Sequence, residues 1–174
     1  MVFAFGKFSV QALIQAAKLG WRPQVYVNAV ASSANLMTIA DLAGAKKVTQ
    51  GATAVVFGKD PSDPRWAKDA GIRLARQILT RYEPAANPKD GYYVAGMAVA
   101  FSLVDALRRA GRELTREGVM KAALSLNERS NPFLIPGMVV KTSATDRFPL
   151  EQVALQRWTK GRWSIAGPLI AAKG

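Results

Sequence analysis

The side chains in this sequence that could do chemistry are few, and their types exclude more than they suggest. There is no histidine and no cysteine. Thiolate nucleophiles, imidazole bases, disulfides and nearly every zinc set are therefore ruled out. Asp60, Asp63 and Asp69 lie close together, but Asp60 and Asp63 flank prolines ahead of a helix, where capping accounts for them. Gly6-Lys7-Phe8-Ser9 follows an apolar stretch like a phosphate loop, yet the chain has no room upstream for the glycine such a loop needs. No serine sits in a nucleophile elbow, and a serine triad would lack its usual base. The residues thus point to binding rather than catalysis, with no metal and no cofactor.

Binding groups are expected where an open α/β sheet places them, outside the carboxyl ends of its strands. Those ends are Phe5-Gly6-Lys7, the stretch from Asn28 to Ser33, and Phe57 to Asp60. Phe5, Gly6, Lys7, Asn28, Ala29 and Val30 are the candidate ligand contacts. Ser32, Ser33 and Asn35 suit hydrogen bonding to a ligand and capping of the next helix equally well.

The elements that must position these groups follow from periodicity. Val2–Phe5 is continuously apolar, as in a strand buried on both faces. Ser9 is placed to cap a helix that runs to Leu19 with Leu13, Ala16 and Ala17 inward and Gly20 as its stop. Strands are predicted over 24–30 and 52–57, with a helix between them bearing Leu36, Ile39, Ala40 and Ala43 and ending near Gly44. Strands alternating with helices signal a doubly wound, Rossmann-like sheet. Gly58 to Pro64 is turn-rich, and Asp63 can cap with Pro64 at the first helical position. Residues 65–126 then read as helices: an amphipathic one through Tyr82, with Trp66, Ala70, Leu74, Ile78 and Leu79 as its stripe, a central one over 90–110 that is apolar nearly all round, and a third capped by Thr115. Strands return over 137–142 and as a hairpin, 152–158 with 162–165, around Thr159-Lys160-Gly161. The expected division is 1–58, 59–136 and 137–174.

Composition fits a soluble globular chain of 174 residues, 49% hydrophobic and 21% charged. Its formal charge of +12 raises a second reading, a basic domain that binds nucleic acid or another polyanion. Its densest cluster, Arg108, Arg109, Arg112 and Arg116, instead follows an apolar helix, where cations suit the negative end of the helix dipole. Met1 to Phe5 lacks the basic start and cleavage site of a signal peptide. The apolar run from Tyr92 to Leu107 is shorter than the roughly 20 residues a bilayer span needs.

Several strings, in order, resemble the C-terminal half of branched-chain amino-acid-type substrate-binding proteins of ABC transporters, the type I periplasmic binding fold. They are Gln11 to Pro23, Gly51 to Val56 with Lys59-Asp60-Pro61, Gly91-Tyr92-Tyr93, Asp105 to Gly111 with Leu114 to Glu117, Leu134 to Gly137, and the hairpin from Gln152 to Trp163. The resemblance implies two partial lobes. Residues 1–58 and 137–174 belong to the second lobe, 59–136 supply helices of the first, and the joins at 58–64 and 132–137 act as hinges. It also implies a periplasmic location, an ABC transporter's membrane subunits as partners, a missing amino-terminal lobe, and a small ligand held between lobes. Family members that bind amino acids often place an acid after the second-lobe strand to meet the ammonium. Asn28 to Met37 contains none, so the expected ligand is an aromatic or aliphatic carboxylate without a free amine, touched by Phe5 and Lys7.

Overall fold

The computed structural model describes residues 1–171. Helix α1 spans Lys7–Lys18 and begins ahead of the expected cap. Gly6, at φ 52°, makes the turn into it, and Ser9 lies buried within the first turn, its hydroxyl donating to the Gly6 carbonyl at 2.7 Å. Val10, Leu13 and Ala16 face inward, and Gly20 at φ 68° ends the helix as expected.

Strand β1 is only Tyr26–Val27, because the chain leaves the extended form just after Asn28 for a 3₁₀ turn over Ala29–Ala31. Helix α2, Ala34–Ala40, runs through a wide π-type turn, Asp41–Ala45, into the short α3, Lys46–Thr49. Gly44, at φ 94°, leaves the helical conformation inside that turn and breaks the run where the helix was expected to end. The kink at Gly44 shifts the helical phase. Met37, Ala40, Ala45 and Val48 make the buried face, while Ile39 is half exposed. Strand β2 is Thr53–Val56.

Asp63 caps a 3₁₀ turn over Pro64–Trp66, accepting from the Arg65 amide at 2.9 Å. Helix α4 then starts afresh as Ala70–Tyr82 under its own cap, Asp69, so one expected helix is two pieces. Its buried face is Gly71, Ile72, Ala75 and Leu79. Helix α5 is Gly91–Ala110, and α6 is Arg116–Ala123, capped by Thr115 at 3.0 Å from the Gly118 amide. Strands β3, Asn127–Glu128, and β4, Val140–Lys141, pair only with each other. The strand expected over 137–142 is therefore short and outside the main sheet. Strands β5, Gln152–Thr159, and β6, Arg162–Ala171, form the expected hairpin on Lys160-Gly161, both at positive φ.

The main sheet is mixed, in the order β1-β2-β5-β6, parallel between β1 and β2 and antiparallel beyond. Val2 adds a single parallel bridge to Val27 on the outer side of β1. The first apolar stretch is thus an edge, not a strand buried on both faces: Phe3 and Phe5 are 77% and 66% exposed. One core cluster fills the space under α1 to α3, anchored by Trp158 edge-on to Trp163 at 5.4 Å. A second joins α4 and α5 to Phe133, Leu134, Val140 and Ala154. Helix α5 was expected to be central. It buries only Val94, Ala98 and Ala106 and leaves much of its apolar girth bare.

Candidate functional site

The carboxyl ends of β1 and β2 open onto a cleft of about 260 Å³. One wall is the 3₁₀ turn after β1, with Ala29 and Val30, continued by Val55 to Asp60 at the end of β2. The facing wall is the first turn of α5, with Gly91, Tyr92 and Ala95. Its surface is overwhelmingly apolar, which suits a ligand with a hydrocarbon or aromatic body. The Tyr92 hydroxyl crosses the cleft and donates to the Val30 carbonyl at 2.8 Å. Burial, and secondarily the Asp90 carboxylate, push the Tyr92 phenol above its ordinary range, so it stays a donor at neutral pH. At the floor, Gln156 donates to the Ser32 hydroxyl at 3.2 Å, and Ser32 donates to the Ala29 carbonyl at 2.8 Å.

Two ionisable neighbours in the lining have opposite fates. Lys59 points away from the cleft: its ammonium meets both Asp69 carboxylate oxygens at 2.9 Å and the Pro132 carbonyl at 2.8 Å. Burial works to raise the Asp69 carboxyl, but the Lys59 hydrogen bond, the Ile72 amide and the Lys59 charge outweigh it and hold it below the usual range. Asp60 is left in the cleft. Its Oδ1 accepts from the Ser62 amide at 2.8 Å and the Ser62 hydroxyl at 2.6 Å. Burial raises its carboxyl above the ordinary value; the Ser62 bonds oppose the rise, and Asp63 and Asp90 add to it.

The signs give a pH test. A raised carboxyl contributes stability that is complete below the unfolded pKa, near 4, and is lost as pH rises through the folded value. A depressed one contributes stability present above the unfolded value and lost as pH falls through the folded one. Asp60→Asn is therefore expected to raise the melting temperature at pH 7 and to match the parent at pH 3. Asp69→Asn is expected to lower it at pH 7, with the gap closing in acid. Melting curves from pH 3 to 8 that show the same sign for both variants would contradict this electrostatic assignment.

Of the residues singled out from sequence, Ala29 and Val30 line the cleft. Phe5, Gly6, Lys7 and Asn28 do not. Phe5 lies exposed beyond the sheet edge, Gly6 shapes the start of α1, and the Lys7 ammonium sits over the Phe8 ring at 5.4 Å. Asn28 has its Oδ1 buried without a partner. The expectation of an acid-free wall holds for Asn28 to Met37 alone, because the neighbouring strand end brings Asp60 into the same cleft. That strand end was legible. Tyr92, arriving from a helix more than thirty residues downstream of β2, had no local signal beyond the Gly91-Tyr92-Tyr93 string.

No family model and no curated protein matches the chain. Solved structures do share its fold. A branched chain amino acid ABC transporter protein from Thermus thermophilus, with bound valine, superposes at a TM-score of 0.74 and 20% identity over 94% of this chain and 43% of that one. An ABC transporter permease from the Pseudomonas fluorescens group gives 0.70 at 23% identity, over 97% and 42%. A leucine binding protein from Thermotoga maritima gives 0.60 at 16% identity, over 93% and 41%. The chain spans less than half the length of each. Its fold is a part of the type I periplasmic-binding-protein fold.

Proposed function

We propose that this chain is the solute-binding part of an extracytoplasmic receptor for an ABC importer, closing on a small molecule between its α/β layer and the first turn of α5. In this reading 1–58 and 137–174 form one jaw and 59–136 supply helices to the other. The observation that carries it is the apolar cleft at the strand ends, spanned by the Tyr92 to Val30 hydrogen bond. A ligand that binds there favours the closed arrangement through its differential affinity for it. The two joins between the segments support a hinge, since they pair with each other: the Lys59 amide donates to Phe133 and the Ile135 amide to Phe57, at 2.9 and 3.0 Å. The importer's membrane subunits and a complementary lobe are the partners this reading requires.

The ligand proposed is an aromatic or aliphatic carboxylate whose apolar body lies against Val30, Val56, Phe57 and Ala95. Lys59 is committed to Asp69, and Lys7 does not reach the cleft, so the carboxylate end faces away from this wall toward the complementary lobe. Asp60 favours a second reading, an amino acid whose ammonium meets that carboxyl. Calorimetric titration with phenylacetate, hexanoate and leucine separates them. The first reading expects the two acids to bind more tightly than leucine, and Val30→Trp to abolish binding by filling the cleft. Tighter leucine binding, weakened at least tenfold by Asp60→Asn, would establish the second. Binding only of polyanions, falling steeply with salt, would overturn both.

A further inference from the structure

We propose that the floor of the cleft accepts a hydrogen bond from an uncharged hydroxyl, so that the ligand is an apolar body tipped with a hydroxyl at its buried end. The inference rests on the reading of that cleft as the ligand site and names the group its floor selects. Strand β5 turns Ala154, Gln156 and Trp158 inward in alternation, and the two flanking side chains are each 1% exposed. Ala154 belongs to one core cluster and Trp158 to the other, so Gln156 stands at the seam between them. A leucine there would serve the core. The residue is instead an amide, 4% exposed, that lines the cleft. A buried amide is unfavourable unless its polar atoms find partners.

The hydrogen bonds fix which way that amide faces. The Ser32 hydroxyl commits its single proton to the Ala29 carbonyl at 2.8 Å, so toward Gln156 it can only accept. Nε2 therefore faces Ser32, at 3.2 Å, and Oε1 is turned the other way with no partner among the described residues. Oε1 is not sealed in, for the buried unpartnered side-chain atoms among those residues are Asn28 Oδ1, Glu128 Oε2 and Trp163 Nε1. The cleft that Gln156 lines supplies its opening. Neighbouring donors are committed elsewhere: the Tyr92 hydroxyl to Val30, and the Lys59 ammonium to Asp69 and Pro132. The ligand must bring the proton. A carboxylate at this depth would set oxygen against oxygen. An ammonium would meet a neutral amide with no countercharge, and its place in this cleft is Asp60. A hydroxyl meets neither objection. A cavity of about 150 Å³ holds benzene, so the cleft, at about 260 Å³, admits one ring with a substituent para to its point of attachment. With the acid end of the proposed ligand facing the complementary lobe, the hydroxyl end enters first.

The test uses the full chain and three probes without a carboxylate, p-cresol, its methyl ether and 4-methylbenzylamine, titrated by calorimetry at millimolar concentration. p-Cresol is expected to bind about tenfold more tightly than the ether, the scale of one neutral hydrogen bond. Gln156→Leu is expected to bring that ratio close to one without lowering the melting temperature, since an apolar side chain suits the seam. Ser32→Ala, which removes the anchor of the amide, is expected to reduce the ratio partway, and Val30→Trp to abolish binding of both probes. Equal affinity of the parent for cresol and ether, an unchanged ratio in Gln156→Leu, or cresol binding that survives Val30→Trp would overturn the proposal. Tighter binding of the amine would overturn it too, in favour of a cation on Asp60. A cresol preference in a chain that ignores phenylacetate would leave the hydroxyl site standing and remove the acid. Phenylacetate binding with no gain for 4-hydroxyphenylacetate would remove the hydroxyl site alone.

Discussion

Lys59→Met is expected to destabilise the fold by about 3 kcal/mol, a figure typical of removing one partner from a buried ion pair. The Lys59 side chain is 7% exposed and the Asp69 side chain 22%. The substitution strands a carboxylate that is mostly out of water and leaves the Pro132 carbonyl without its donor. Partial solvent access to Asp69 keeps the loss at the lower end of the range for such pairs. Methionine keeps the length and apolar stem of lysine, so packing against Trp66, whose ring lies 5.5 Å from the ammonium, is largely retained. Against a total of 5–15 kcal/mol for a typical domain the loss is large. The urea midpoint at pH 7 reads it. The difference between parent and variant should shrink as pH falls through the depressed Asp69 value, because protonated Asp69 no longer needs the cation. A loss under about 1 kcal/mol at pH 7, the range of exposed pairs, would mean the bridge does not hold the two segments together.

Most of the fold was legible in the sequence because it rests on local chemistry. Asp63 and Thr115 cap where their spacing to the following amides places them, and Gly20 and Lys160-Gly161 turn the chain where positive φ is needed. Errors arose where a distant neighbour decides the outcome. Val2–Phe5 reads as a buried strand by composition, yet a strand is buried on both faces only if something covers both, and here the sheet ends beside it. The central reading of α5 fails the same way: its sequence describes an environment that these residues alone do not supply. The helix end near Gly44 was legible, since that residue takes the positive φ that stops a helix, but the short α3 that restarts beyond it was not. In the site, Ala29 and Val30 were legible as a strand end. Asp60 was expected to cap as Asp63 does, but its carboxylate instead closes a turn onto Ser62 and lines the cleft, which only the folded sheet shows.

Gly71→Ala is expected to be unfavourable by about 2–3 kcal/mol, the upper part of the range for overpacking. In an exposed helix the same change stabilises, because alanine has less chain entropy to lose. The sign reverses here because a Cβ on Gly71 would lie 1.9 Å from the Pro132 carbonyl oxygen and 2.7 Å from its carbon, both backbone atoms with no rotamer to yield. The segment from Pro132 must move, and that carbonyl is the one that accepts from Lys59. The two substitutions therefore strike one joint, the place where the α4 start, the strand leaving the cleft at Lys59 and the returning chain at Pro132 meet. Once Gly71→Ala has displaced the carbonyl, Lys59→Met has one bond fewer to break, so the double variant should lose less than the sum of the singles. A cycle of the four proteins in urea measures this coupling. Simple additivity would show that the ion pair and the glycine contact stabilise the chain independently, and the rigid joint between cleft and helices would have to be given up.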